Sequence, residues 1–139
     1  MENNSFRKFL DTYLEIWRNS SLTDLKKVIS EDYNGIEILN GETVNITYEE
    51  SLDGWEQGFN FAKEKGNEWE LKEISVVPLR KNEVMAIVSA TLIIAGKKLE
   101  NVSIFLQTFK RQENYEWKLI RSYIETGGPA ENISKIHFK

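Results

Sequence analysis

Apolar residues recur at intervals of three and four between Ser5 and Arg18, where Phe6, Phe9, Leu10, Tyr13, Leu14 and Trp17 form one broad stripe. That spacing predicts an amphipathic helix. Asn19, Ser20 and Ser21 interrupt it, and Leu22, Leu25, Val28 and Ile29 then mark a short second helix with Ser21 or Thr23 as N-cap. The period shortens to two over Gly35 to Leu39, a short strand ending at the turn pair Asn40-Gly41. Thr47 and Glu50 have capping-box spacing, which places a third helix start near Tyr48. Tyr48, Leu52, Trp55 and Phe59 are its stripe, and Gly66-Asn67 stops it. Gly54 and Gly58 cost this helix about 1 kcal/mol each relative to alanine, and they mark close packing against a neighbour.

Beyond Gly66 the alternation is that of strands: Trp69 to Leu79, Glu83 to Ala95, Lys98 to Arg111 and Tyr115 to Thr126, separated by short turns. Long strands joined by short turns predict an antiparallel meander. In the last run strict alternation puts Trp117, Leu119, Arg121, Tyr123 and Glu125 on one face and Lys118, Ile120, Ser122, Ile124 and Thr126 on the other. A turn at Gln112 to Asn114 pairs Phe109 with Trp117, Gln107 with Leu119, Phe105 with Arg121, Ser103 with Tyr123 and Asn101 with Glu125. The face carrying aromatics and polar groups is then expected to be concave. The apolar face, with Val102, Ile104, Leu106, Ile120 and Ile124, is expected to be partly covered by a second subunit.

The order helix, helix, strand, helix and then four antiparallel strands is an α+β arrangement, with helices gathered on one face of a curved, mostly antiparallel sheet. On that order, and on FLDTYLEIW followed by TDLKKVISEDY, Gly41 before the third helix, and WKLIRSY in the final strand, the chain resembles the nuclear transport factor 2-like (NTF2-like) superfamily over about residues 5 to 126. That superfamily includes SnoaL-like proteins and ketosteroid isomerases. The resemblance implies a cone-shaped half-barrel whose concave face and three helices enclose a pocket, frequently in a homodimer. It also implies a candidate catalytic pair: overlaying the isomerases puts Tyr13 at their oxyanion-binding tyrosine and Glu37 at their base. A buried phenol as donor and a carboxylate in an apolar pocket suit proton transfer beside a carbonyl. The second protonated acid of those enzymes falls near Leu106 or Gln107 here.

A chain of 139 residues forms one domain, read as residues 1–129, with 130–139 as a tail after Gly127-Gly128-Pro129. A net charge of −4 with mixed signs argues against a nucleic-acid partner. The absence of cysteine excludes disulfides and thiolate chemistry, and the single His137 cannot build a multi-histidine metal site. No motif for a nucleotide cofactor, a serine nucleophile or zinc occurs, so neither cofactor nor metal is expected. With no apolar signal core and no apolar run approaching eighteen residues, a cytoplasmic location without membrane contact is expected.

What remains is a pocket. Arg121 and Glu125 are roughly 13 Å apart along the strand, so each needs its own partner. Arg121 either pairs internally, with Glu37, Asp53 or Glu56, or anchors a ligand anion. Gln107, Tyr123 and Glu125 would complete a polar wall, with Trp17, Tyr33, Trp55, Phe59, Phe105 and Trp117 as its aromatic body. The functional expectation is a domain that binds a small, mostly apolar molecule bearing a polar or anionic group. The alternatives are an isomerase- or lyase-type enzyme using Glu37 and Tyr13, and a homo-oligomeric assembly module without catalysis.

Overall fold

The computed structural model describes residues 2–64 and 66–135. Helices are α1 (Glu2–Arg18), α2 (Leu22–Lys26) and α3 (Tyr48–Glu64). Strands are β1 (Ile29–Leu39), β2 (Glu42–Thr47), β3 (Glu68–Arg80), β4 (Glu83–Ile94), β5 (Lys97–Lys98), β6 (Asn101–Arg111) and β7 (Trp117–Pro129), followed by a 3-10 turn at Ala130–Lys135. The helices pack on one side of an open, curved sheet with strand order β2-β1-β7-β6-β4-β3, and β5 pairs with β4. The expected α+β architecture is the observed one. The meander β3-β4-β6-β7 is antiparallel as expected, and β1 joins it by lying parallel to β7.

The stripe of α1 buries Phe6, Leu10, Tyr13, Leu14 and Trp17. This helix ends where Ser20 takes a left-handed φ of 52° and the Ser21 amide donates back to the Ile16 carbonyl, a Schellman-type end. The second helix is shorter than its spacing suggests. The Val28 carbonyl accepts from the Leu119 amide, which draws the chain off the helix and onto β7, so Ile29 is buried as the first residue of β1. At Asn40-Gly41 both residues have positive φ, 53° and 80°, the geometry of a tight hairpin turn. The turn leads into β2, a strand the sequence reading left out. The capping box forms as expected: the Glu50 amide donates to Thr47 Oγ1 at 3.2 Å and the Thr47 amide to Glu50 Oε1 at 2.9 Å.

The register of β6 against β7 differs from the expected one. Arg111 faces Trp117, Phe109 faces Leu119, and a bulge at Ile120 then brings Thr108 opposite Arg121 and Gln107 opposite Ser122. One extra residue reverses the alternation. Trp117 and Leu119 point toward the helices, and after the bulge so do Ser122, Ile124 and Thr126. Arg121, Tyr123 and Glu125 are turned to the outer face instead. Gly128 and Pro129 continue β7 opposite Val102 and Asn101. His137 lies outside the described residues.

The core is aromatic at one end. The Phe109 ring sits 5.6 Å from Phe6, 5.3 Å from Phe9 and 5.0 Å from Tyr13, and Trp117 meets Phe6 edge-on at 5.1 Å. These rings fill the narrow end of the half-barrel. The space between helices and sheet stays open beyond it.

Candidate functional site

Two steps along β6 from Phe109, the row Gly35, Ser122 and Gln107 crosses the inner face of the sheet, and the next row is Glu37, Ile124 and Phe105. Opposite them, α1 supplies Trp17 and α3 supplies Ser51, Gly54 and Trp55, while β2 closes one side with Val44 and Ile46. They enclose about 330 Å³, toward the lower end of small-molecule sites. A larger depression of about 710 Å³ beside Lys110, Gln112 and Lys118 is shallower and more polar, and so is a poorer candidate.

Two glycines shape the cavity. A Cβ on Gly35 would overlap the Tyr33 hydroxyl, so the absent side chain lets the phenol of Tyr33 fold across β1. At Gly54 a Cβ would meet nothing within 4 Å, so this glycine keeps the rim open and does not mark close packing. Gly58 does pack, with Trp69 at 3.7 Å from its Cβ position.

The walls are aromatic. Trp17 stands perpendicular to Trp55 at 4.9 Å and nearly so to Phe105, also at 4.9 Å, and Trp55 and Phe105 lie within 25° of parallel. At the deep end the Tyr13 hydroxyl donates to Gln107 Oε1 at 3.0 Å. Both side chains are fully buried, and burial pushes the Tyr13 phenol well above its ordinary pKa. Burial also raises the Tyr33 phenol, with Ser122 acting against the rise and Glu37 adding to it. Four donors at this lining have no hydrogen-bond partner in bonding geometry among the described residues: Trp17 Nε1, Ser51 Oγ, Gln107 Nε2 and Ser122 Oγ.

Toward the open end Glu37 Oε2 accepts from Thr126 Oγ1 at 2.6 Å, and Glu37 makes no ion pair among the described residues. Glu50, the other carboxylate of the lining, is held by the α3 cap. No lysine, arginine or histidine is among the lining residues. Among the described residues no three His, Cys, Asp or Glu side chains converge on a metal position.

The structure thus brings together Trp17, Tyr33, Glu37, Trp55, Phe105 and Gln107 of the expected site residues. Phe59 and Trp117 are core: Phe59 packs on Trp55, and Trp117 Nε1 donates to Ser5 Oγ at 3.0 Å. Tyr13 sits behind Gln107 and reaches the cavity only through it. Arg121 is ion-paired within the chain, but with none of the expected acids Glu37, Asp53 and Glu56. On the outer face its Nη2 donates to Glu83 Oε1 at 2.9 Å, and Arg121 and Arg80 hold that carboxyl below its usual pKa. Tyr123 donates to Glu125 on the same face.

The reading by alternation missed Trp69, Ser51, Ser103, Ser122, Ile124, Thr126 and the whole of β2. Asn40-Gly41 followed by ETVNIT carries the standard hairpin signal for β2. The doublet Leu119-Ile120 is the trace of the bulge, two adjacent apolar residues where the alternation changes phase.

No family model matches the chain, and no curated protein matches it in sequence. Solved structures do. A domain of unknown function with a cystatin-like fold from Nostoc punctiforme is 15% identical with a TM-score of 0.68, covering 94% of this chain and 80% of its own. An NTF2-like protein of unknown function from Shewanella oneidensis is 16% identical with a TM-score of 0.67, covering 90% of this chain and 99% of its own. A protein from Thiobacillus denitrificans, assigned as a calcium/calmodulin-dependent protein kinase type II association domain, is 17% identical with a TM-score of 0.63, covering 84% of this chain and 90% of its own. No helix among the described residues is long and apolar enough to cross a membrane. With helices on one face of a curved sheet and a cavity between them, the chain has the fold of the NTF2-like, cystatin-like proteins.

Proposed function

We propose that the protein binds a small, largely apolar molecule in the 330 Å³ cavity, with an acceptor oxygen of the guest meeting the donors at the deep end. The observation that carries this reading is the set of unpartnered donors, Trp17 Nε1, Ser51 Oγ, Gln107 Nε2 and Ser122 Oγ, beside open aromatic-walled volume. An unsatisfied buried donor costs about 1–3 kcal/mol, and a guest that accepts from it recovers part of that cost. An anion anchored on Arg121 is not part of the proposal, since that guanidinium is on the outer face with Glu83. The test is a titration of 4-phenylbutan-2-one followed by tryptophan fluorescence. Saturable quenching is expected in the native protein and in Gly54→Ala, and none in Gly54→Phe, whose ring would fill the rim. Equal binding by all three would refute the assignment.

An enzymatic alternative is favoured by one feature, the carboxylate of Glu37 at the cavity without an ion pair. Glu37 would act as base, and the Gln107 amide, oriented by Tyr13, would face the substrate carbonyl. It requires exchange of the α-protons of 4-phenylbutan-2-one in deuterated buffer, abolished in Glu37→Gln.

Self-association is the third element of the reading. Ile36, Tyr123 and Leu106 form an apolar row across the outer sheet face, with Ile36 39% and Tyr123 40% exposed, and Ile87 beside Leu106 is already buried within the chain. A second copy is the proposed occupant, because a face of this kind pairs with itself about a two-fold axis. The fold likeness to the protein assigned as an association domain supports it.

A further inference from the structure

Resting on the reading of the cavity as a ligand site, we infer that it selects molecules carrying a protonated amine, with the ammonium between the Glu37 carboxylate and the ring faces of Trp55 and Phe105. Two independent observations point there. The first is charge: the lining holds the carboxylates of Glu37 and Glu50 and no cationic side chain. Arg121 and Arg80 pair with Glu83, Lys98 with Glu70 and Arg18 with Glu15, all away from the lining. Glu50 and Glu37 each accept one hydrogen bond, Glu50 from its α3 cap and Glu37 from Thr126, and Glu37 is the one that shares a row with Phe105.

The second observation is geometric. Glu37, Ile124 and Phe105 lie in one row across β1, β7 and β6. Phe105 therefore stands two strands from Glu37, with Trp55 nearly parallel to it at 6.2 Å and Trp17 at right angles to Trp55. Trp17, Trp55 and Phe105 all line the open volume, so a guest there meets their ring faces or edges. A cation there gains from those faces and from the carboxylate together. A carboxylate guest would instead lose its hydration beside Glu37 and gain no cation.

The test uses three ligands with one apolar body and different heads: 4-phenylbutylamine, 4-phenylbutan-1-ol and 4-phenylbutyrate, each titrated near pH 7, where the amine is charged. The amine is expected to bind about tenfold tighter than the acid, with the alcohol between them. Glu37→Gln is expected to bring the amine to the affinity of the alcohol. Trp55→Leu, which removes a ring face and no charge, should weaken the amine more than the alcohol. Acid binding as tight as amine binding, or an amine preference that survives Glu37→Gln, overturns the inference. Binding of 4-phenylbutan-2-one without binding of the amine overturns it and leaves the cavity assignment standing; if none of the four ligands binds, both fall.

Discussion

A methyl group at position 35 would occupy the space taken by the Tyr33 phenol, which is 6% exposed and part of the cavity wall. Gly35→Ala must therefore push that ring aside. The expected cost is about 1–3 kcal/mol by urea unfolding, with a changed tryptophan emission as the wall moves. Tyr13 gives a second expectation, and its sign follows from linkage. Its pKa is raised in the native state, so above about pH 10 the unfolded chain releases a proton that the native protein keeps, and stability falls as pH rises. Tyr13→Phe leaves Gln107 Oε1 without its donor and is expected to cost about 1–2 kcal/mol near pH 8. That deficit should narrow near pH 11, because the variant has no phenol to titrate; urea midpoints at both values check it. At this scale the sequence was informative where chemistry is local. Trp17, Trp55, Phe105 and Gln107 were legible as inward-facing because helix stripes and strand alternation carry that information, whereas Glu37 came from the family resemblance. Tyr13 was legible as buried, but its partner across the fold was not.

Among elements, β7 shows where alternation fails. Ile120 is one residue more than a regular ladder needs, so deleting it leaves Leu119 and Ser122 on the inner face and Arg121 on the outer one. The deletion variant is expected to fold with its cavity lining unchanged, at a cost of about 1–3 kcal/mol from lost curvature. Deleting Leu106 from the regular part of β6 would put the residues beyond it out of phase, and no cooperative unfolding transition is expected. Denaturation curves of the two variants decide the point. Arg121 could not be placed from sequence because a bulge is a choice between two strands and depends on how both twist. The same competition shortened α2, where Ile29 is better buried in the strand beside Leu119 than on a single helical turn.

For the whole molecule, the layer arrangement and the order of the long elements were legible because long periodic segments determine them, whereas the short β2 and the strand order were not. The parallel pairing of β1 with β7 joins residues about ninety positions apart, and no local pattern reports it. The outer face yields a prediction at this scale. Sedimentation is expected to show a dimer at micromolar concentration, and Leu106→Asp should give a monomer with an intact cavity; a native protein that sediments as a monomer would refute the assembly reading.

The place of β7 between β1 and β6 has a consequence for biosynthesis. Without β7, the β1-β2 hairpin and the β3-β4-β6 meander share no hydrogen-bonded ladder among the described residues. Each part presents a bare strand edge, and the aromatic wall of the future cavity faces water between them. Closure waits for residues 117–129 to clear the exit tunnel. Until then the two unpaired edges leave the incomplete chain prone to aggregation, and the hazard ends when its last strand takes its place between them.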